Sequence, residues 1–363
     1  MKKKTPLINR IKEYLNKKSF SKDKKKENNT GAISRTLLSS LIIISFFFIM
    51  PLAMNLVKDK TIFSKNYENN SKNKLKVLLE NQDQKLDKSF LFDDILVFDE
   101  QSIDTIRLSA STIEELFKST NYNLKDVRKN KLVKPISLTL LPNEIKKIES
   151  TKKRKDLFIQ IVLPLIIKEN NNIKLDRKKL FSILNKNKNT KNEKVWLNLK
   201  FKQYGVVNKD LSTLKIRMDE VPASMAIAQA AKETGWGTSR FAQEGNALFG
   251  QWTWSGEGIK PIDADYNSTH KVMKFRILQA SVKAYQRNLN THSSYKDFRS
   301  ARAEFRDDGK KLDSMVLTEY LDKYAETGKE YVLVLQKIIK QNNLTDFDDA
   351  KLLPSSIDLE SLI

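Results

Sequence analysis

Few of these 363 residues can do chemistry. With no cysteine there is no thiolate nucleophile, disulfide or thiolate metal site, and His270 and His292 alone supply imidazoles. A histidine-rich metal centre or a Ser-His-Asp triad therefore lacks its parts, no metal or cofactor is expected, and catalysis falls to carboxylates. One carboxylate is set apart. In KETGWGTSRFAQEGNALFGQW, Lys232 to Trp252, Glu233 stands between an alanine-rich run and a cluster of glycines and aromatics. A general acid at that position needs an environment that keeps its proton on near neutral pH.

The elements around it are arranged to do so. RMDEVPASMAIAQAAKETGWG reads as a helix: Pro222 suits its first turn, Asp219 and Glu220 complement its positive end, and Ala223, Ala226, Ala228, Ala230 and Ala231 permit close packing. Thr234 and Gly235 stop it. Glu233 then lies at the C-terminal end, where the dipole disfavours a carboxylate, beside Trp236, which can exclude water. The plain alternative is a surface glutamate at a helix end. A short helix around TSRFAQEG and the segment NALFGQWTW follow, and Val282, Tyr285 and Leu289 mark the core face of a later helix. Upstream, SFLFDDILVFDE alternates and reads as one or two short strands or the start of the folded part. STIEELFK, with Ser111 and Thr112 ahead of Glu114 and Glu115, reads as a capped helix start. KKRKDLFIQIVLPLIIKENN reads as a buried helix kinked at Pro164, with LDRKKLFSILNK adding another amphipathic turn or two.

AQAAKETGWGTSRFAQEGNALFGQW resembles the glucosaminidase domain of bacterial peptidoglycan hydrolases, in which a glutamate ends a helix within E-[ST]-G-W-G. The likeness to the Bax family extends from roughly Ser109, through LFIQIVLPLI and VPASMAIAQAA, to YQRNLNTHSSYKDFR and about Asn343. The resemblance implies a mainly α protein whose catalytic part is a lysozyme-like α+β domain with a small β-lobe across a sugar-binding cleft. It makes Glu233 the general acid and matches Tyr324, in YAETGKEYVLVLQKII, to a tyrosine that reaches the active site, leaving Tyr331 to packing. Asn246, Phe249 and Gly250 match the turn beside the cleft, with a core role equally open to Phe249. Trp252 and Trp254 offer faces for sugar stacking or close the core. Asn290, Thr291 and His292 resemble a Bax signature near the cleft, read as a hydrogen-bonded turn, and His270 reads as an ordinary polar residue. A second acid is sought on the β-lobe, where Glu257, Asp263 and Asp265 are available and Asp265 is the candidate. An acetamido-assisted route would dispense with it.

The formal charge of +22 is unevenly spread. Met1–Arg35 holds 12 Lys/Arg against 3 Asp/Glu, whereas from Asp219 onward 19 stand against 21. The block carrying Glu233 is slightly acidic, which argues against nucleic acid as its partner. The excess belongs to what precedes that block: Thr36–Met218 holds 35 Lys/Arg against 20 Asp/Glu, and the basic first 35 residues lead into TLLSSLIIISFFFIMPLAMNLV, 22 uncharged residues, enough for a transmembrane helix with the basic tail on the cytoplasmic side. A cleaved signal peptide and a buried core helix are the alternatives. The expected organisation is a cytoplasmic tail (1–35), a signal anchor (36–57), a stalk with short extended segments (58–108), a helical Bax-like region (109–210), a glucosaminidase domain (211–345) and a C-terminal tail (346–363). The sequence thus suggests a single-pass protein of the inner (cytoplasmic) membrane, its catalytic domain periplasmic or extracellular, that cleaves β-1,4 bonds at N-acetylglucosamine in peptidoglycan glycan strands. A catalytically silent wall-binding scaffold and a lytic transglycosylase are the other readings.

Overall fold

A computed structural model of the chain describes residues 91–101, 105–253, 258–261 and 271–354. The apolar run 36–57 lies outside them, as do Trp254, Glu257, Asp263, Asp265 and His270. Among the described residues no helix is long and apolar enough to cross a membrane.

The protein is mainly α. Helices α1 (Asp93–Glu100), α2 (Ala110–Ser119) and α3 (Leu124–Asn130) lead through strand β1 (Leu132–Val133) to α4 (Thr151–Leu184), α5 (Lys191–Gln203) and α6 (Leu211–Arg217). Helices α7 (Ala223–Thr234) and α8 (Arg240–Gly245) precede strands β2 (Trp252–Thr253), β3 (Gly258–Ile259) and β4 (Lys271–Met273). Then come α9 (Leu278–Thr291), α10 (Lys296–Asp307), α11 (Ser314–Thr318), α12 (Lys329–Gln341) and strand β5 (Lys351–Leu352). Three strands form a small antiparallel sheet in the order β2-β4-β3, with Trp252 opposite Val272 and Gly258 opposite Met273, while β1 and β5 pair in parallel.

Four local readings are corrected. SFLFDDILVFDE gives α1 rather than strands, because Phe92, Ile95 and Asp99 recur at helical spacing and Asp93 and Asp94 sit in its first turn, where the dipole favours acid. Helix α2 is capped by Ser109, whose hydroxyl accepts from the Thr112 amide, so Ser111 and Thr112 lie inside it. LDRKKLFSILNK, read as adding a turn or two, continues the helix before it without a break, giving one helix of 34 residues, about 50 Å long. Pro222 is the residue before α7 rather than within its first turn, and Asp219 and Glu220 serve arginines instead of the helix end.

Helix α4 runs through Pro164 because its defect is repaired from outside. Proline has no N–H, so the carbonyl of Gln160 loses its helical partner. The Tyr122 hydroxyl donates to that carbonyl at 3.2 Å, and the Gln160 amide returns a bond to the Tyr122 carbonyl at 2.8 Å. The first half of α4, Leu157 to Ile167, lies in the main core with the alanine face of α7 and with Val282, Tyr285 and Leu289 of α9, which are fully buried as the spacing predicts. Its second half builds a separate cluster, where Ile173, Leu180 and Ile183 meet Leu197, Phe201, Leu214 and Met218. The main core draws on both the 109–210 region and the chain after it.

Helix α7 starts without a capping side chain of its own. The carboxylate of Asp348, far along the chain, accepts from the Ser224 amide and hydroxyl, both at 2.8 Å. The lead-in to α7 is held by buried polar groups: Arg306 donates twice to Asp219 at 3.0 Å, and Asn170 exchanges two hydrogen bonds with the Val221 backbone. Asn290, 1% exposed, donates to the Asp219 carbonyl and accepts from Arg302, so it belongs to this network as a structural residue.

Candidate active site

Helix α7 ends where Gly235 turns left-handed, at φ +56°, and this termination places Glu233 on the last turn with its side chain directed at two neighbours. One is the Tyr331 hydroxyl, on the first turn of α12, which donates to Glu233 Oε1 at 2.9 Å. The other is Gly250: a Cβ built there would stand 3.1 Å from Glu233 Oε2. Gly250 also has φ +62°, so its lack of a side chain serves both the turn and the room for that oxygen.

Behind Glu233 is a directional relay. The Tyr285 hydroxyl donates to Gln229 Oε1 at 2.6 Å, and Gln229 Nε2 donates to the Tyr331 oxygen at 3.2 Å. Gln229 is fully buried, one turn before Glu233 on α7. Because the Tyr331 oxygen accepts from the amide, its own proton is left for Glu233. Aromatic stacking fixes these groups: Tyr331 lies over Tyr324 (5.5 Å, 7°) and Tyr285 over Phe249 (3.8 Å, 8°). The Tyr324 hydroxyl donates to the Phe249 carbonyl at 2.8 Å, tying down the turn that carries Gly250.

Burial raises the Glu233 pKa above the ordinary carboxylate value, against the smaller opposing effects of the Tyr331 hydrogen bond and the Lys232 charge. The acid is therefore held toward its protonated form. Burial likewise pushes Tyr331, Tyr324 and Tyr285 upward, and Tyr295 to about 12, so these phenols act as donors and not as bases.

A cavity of about 1660 Å³ lies beside Glu233. Tyr324, Phe249, Gly250 and Trp252 line it with the acid, Phe249 buried and Trp252 47% exposed on β2. Asn246 is not among the lining residues. It is 4% exposed in a left-handed turn after α8, and its amide donates to the carbonyls of Phe275 and Arg276 at 2.9 and 3.0 Å, joining that turn to the approach to α9. Trp236 does not line the cavity either. It packs edge-on against Phe158 with Lys155 over its ring, so Tyr331, Tyr324 and Phe249 desolvate the acid in its place. His292 lines the cavity and accepts from the Ser294 amide through Nδ1 at 3.2 Å. Asp265 and Trp254 lie outside the described residues.

Tyr331, read from the sequence as packing, is the corrected residue. It is 2% exposed, but its hydroxyl points at the acid. A tyrosine in the apolar stripe of a core helix must find a partner for its hydroxyl, and that requirement was the available signal. Besides Glu233 the cavity wall carries the carboxylates of Asp93, Asp99, Glu100 and Glu326, which sequence reasoning passed over, and of these Asp99 of α1 is buried. It accepts from the amides of Arg276 and Ile277 at 2.7 and 3.0 Å, which commits it to holding backbone. Among the described residues no group of three or more carboxylates or imidazoles is gathered tightly enough for a metal ion.

Residues 213–344 match the family model described as mannosyl-glycoprotein endo-beta-N-acetylglucosaminidase. Protein bax of Escherichia coli (strain K12) is 32% identical over 197 residues, covering 52% of this chain and 69% of that one. The chain belongs to the Bax family. Its glucosaminidase domain takes in Glu233, the turn at Gly250 and both Tyr324 and Tyr331, whereas α1 and α4 of this Bax-family chain fall outside the matched stretch. No solved structure matches the chain.

Proposed function

We propose that this protein is a glycoside hydrolase of the endo-β-N-acetylglucosaminidase type, with a lysozyme-like catalytic unit that cleaves the glycan strands of peptidoglycan at N-acetylglucosamine. In this reading the run 36–57 anchors it in the cytoplasmic membrane, with the catalytic part on the outer side. The observation that carries the activity is Glu233 itself: a desolvated carboxyl at a helix end, one oxygen held by Tyr331 and the other beside Gly250, on the wall of a large cavity.

The chemistry follows from that arrangement. The Glu233 proton passes to the glycosidic oxygen as the C1–O bond breaks, the leaving sugar departs as an alcohol, and positive charge develops on the remaining ring. As the carboxyl becomes a carboxylate, the Tyr331 bond to Oε1 becomes charge-assisted and strengthens, so it favours the transition state over the ground state. Tyr324 acts at one remove by fixing the Phe249–Gly250 turn and stacking on Tyr331. Trp252 presents a flat face to a sugar ring. Water then adds at C1, assisted either by Asp265 or by the substrate's own acetamido oxygen.

Glu233→Gln in the full-length chain should abolish release of soluble fragments from purified peptidoglycan while leaving circular dichroism unchanged. Full release by that variant would sink the assignment. Mass spectrometry of wild-type products distinguishes hydrolysis, which gives reducing N-acetylglucosamine ends, from a transglycosylase outcome, which gives an anhydro sugar lacking one water.

A further inference from the structure

Helix α1 lies well before the matched stretch 213–344, yet it forms part of the cavity wall that holds Glu233. Its faces have separate tasks. Ile95, 1% exposed, is buried against Phe275, Ile277, Ala280 and Ala284, and Phe98 packs beside it. Polar clamps fix both ends. Asp94 accepts from two guanidinium nitrogens of Arg287 at 3.0 and 3.1 Å and from Gln203 at 2.9 Å. Asp99 accepts the Arg276 and Ile277 amides, and the Arg276 guanidinium donates to the Glu100 carbonyl at 2.6 Å. With those groups engaged, a third stripe remains: Asp93, Leu96 and Glu100, at helical spacing of three and four, line the cavity.

We propose that this stripe is a sugar-binding subsite on the wall of the same cavity as Glu233; the inference rests on the glycosidase reading of Glu233. Leu96, 39% exposed, offers an aliphatic surface to the C–H face of a pyranose. The carboxylates of Asp93 and Glu100 flank it as acceptors for ring hydroxyls, and Asp93 is only loosely engaged, 3.9 Å from Lys202. Such a pairing of apolar step and acceptors suits a neutral carbohydrate. Because the stripe and Glu233 share one cavity of about 1660 Å³, larger than a disaccharide fills, the subsite favours a glycan strand over a disaccharide.

The test uses the full-length chain in the Glu233→Gln background, so that binding is read without turnover. Sedimentation with purified insoluble peptidoglycan is compared for the parent, for the double variant Leu96→Asp/Glu100→Ala, and for Val97→Asp. Val97 is 50% exposed on the same helix and does not line the cavity. The double variant should bind about tenfold more weakly, with Val97→Asp binding as the parent does. In the active background it should raise KM for the polymer by a similar factor and hold kcat within twofold. Equal binding by the double variant and the parent, or equal weakening by Val97→Asp, overturns the proposal. If the Glu233 reading fails, the active chain releases no fragments, but the binding comparison still decides whether α1 contacts glycan. A parent that does not sediment with peptidoglycan at all also overturns it.

Discussion

Gly250→Ala is the sharpest perturbation of the site, because it bears on Glu233 without altering any titrating or hydrogen-bonding group. Two costs arise. A residue with a Cβ held at φ +62° costs about 1–2 kcal/mol. The new Cβ would also stand 3.1 Å from Glu233 Oε2, so the carboxyl must give by a few tenths of an ångström while Oε1 stays tied to Tyr331 at 2.9 Å. Gly309→Ala separates the two: its φ is +65°, yet nothing lies within 4 Å of the position a Cβ would take. Gly309→Ala should lose about 1–2 kcal/mol in urea denaturation, and Gly250→Ala that much or more. Only Gly250→Ala should lose activity, and since a misplacement of about 1 Å can cost about a hundredfold, a shift of a few tenths should cost about tenfold in kcat. The assay is initial-rate release of labelled fragments from peptidoglycan alongside the denaturation curves. Parental kcat in Gly250→Ala, or an equal fall in Gly309→Ala, would refute the claim that the room beside Oε2 is what the reaction needs.

Other consequences can be measured. Tyr331→Phe removes the hydrogen bond that lowers the Glu233 pKa, so the alkaline limb of the pH–rate profile should move to higher pH, and kcat should fall about tenfold or more with the lost charge-assisted bond; an unmoved limb would remove Tyr331 from the acid's environment. Burial raises the folded-state pKa of Glu233 above 4.5, so the parent loses stability as pH climbs from that value through the raised one. Glu233→Gln has no such loss and should be the more stable protein at pH 7 in thermal melts, with the advantage gone near pH 4. Asp348→Ala strips the cap from α7 and should cost about 1 kcal/mol in urea denaturation, with far-UV circular dichroism otherwise retained. Tyr122→Phe leaves the Gln160 carbonyl opposite Pro164 without its donor and should cost about 1–3 kcal/mol by the same measurement.

What was legible in the sequence followed the local rules. The alanine run, its stop at Gly235 and the position of Glu233 on the last turn were read correctly because helix propensity and a left-handed terminator act over a few residues. The core face of α9 was legible for the same reason. Partners brought together by tertiary structure were not. Nothing near Ser224 announces that Asp348 will cap its helix, and nothing near Pro164 announces the Tyr122 hydroxyl. Trp236 was expected to dry the acid because it is adjacent in sequence, but the backbone turns it to Phe158 and the drying falls to tyrosines roughly a hundred residues on. Helix α1 was misread for a different reason: Ile95 to Phe98 form a short apolar run between acidic pairs, which a strand and a buried helix share over so few residues, and its packing on α9 reveals the helix.

The capping of α7 by Asp348 bears on how such enzymes can be cut and recombined. The segment recognised as a glucosaminidase domain closes at residue 344, four positions short of the side chain that receives the Ser224 amide, in the first turn of the helix carrying the acid. A chimera exchanging only the recognised segment would bring that helix into a new host with its leading N–H groups facing whatever the host provides. The unit of inheritance visible in the sequence is smaller than the unit of mechanical support, and grafts between relatives should be joined beyond β5 if the donor's acid is to arrive in working position.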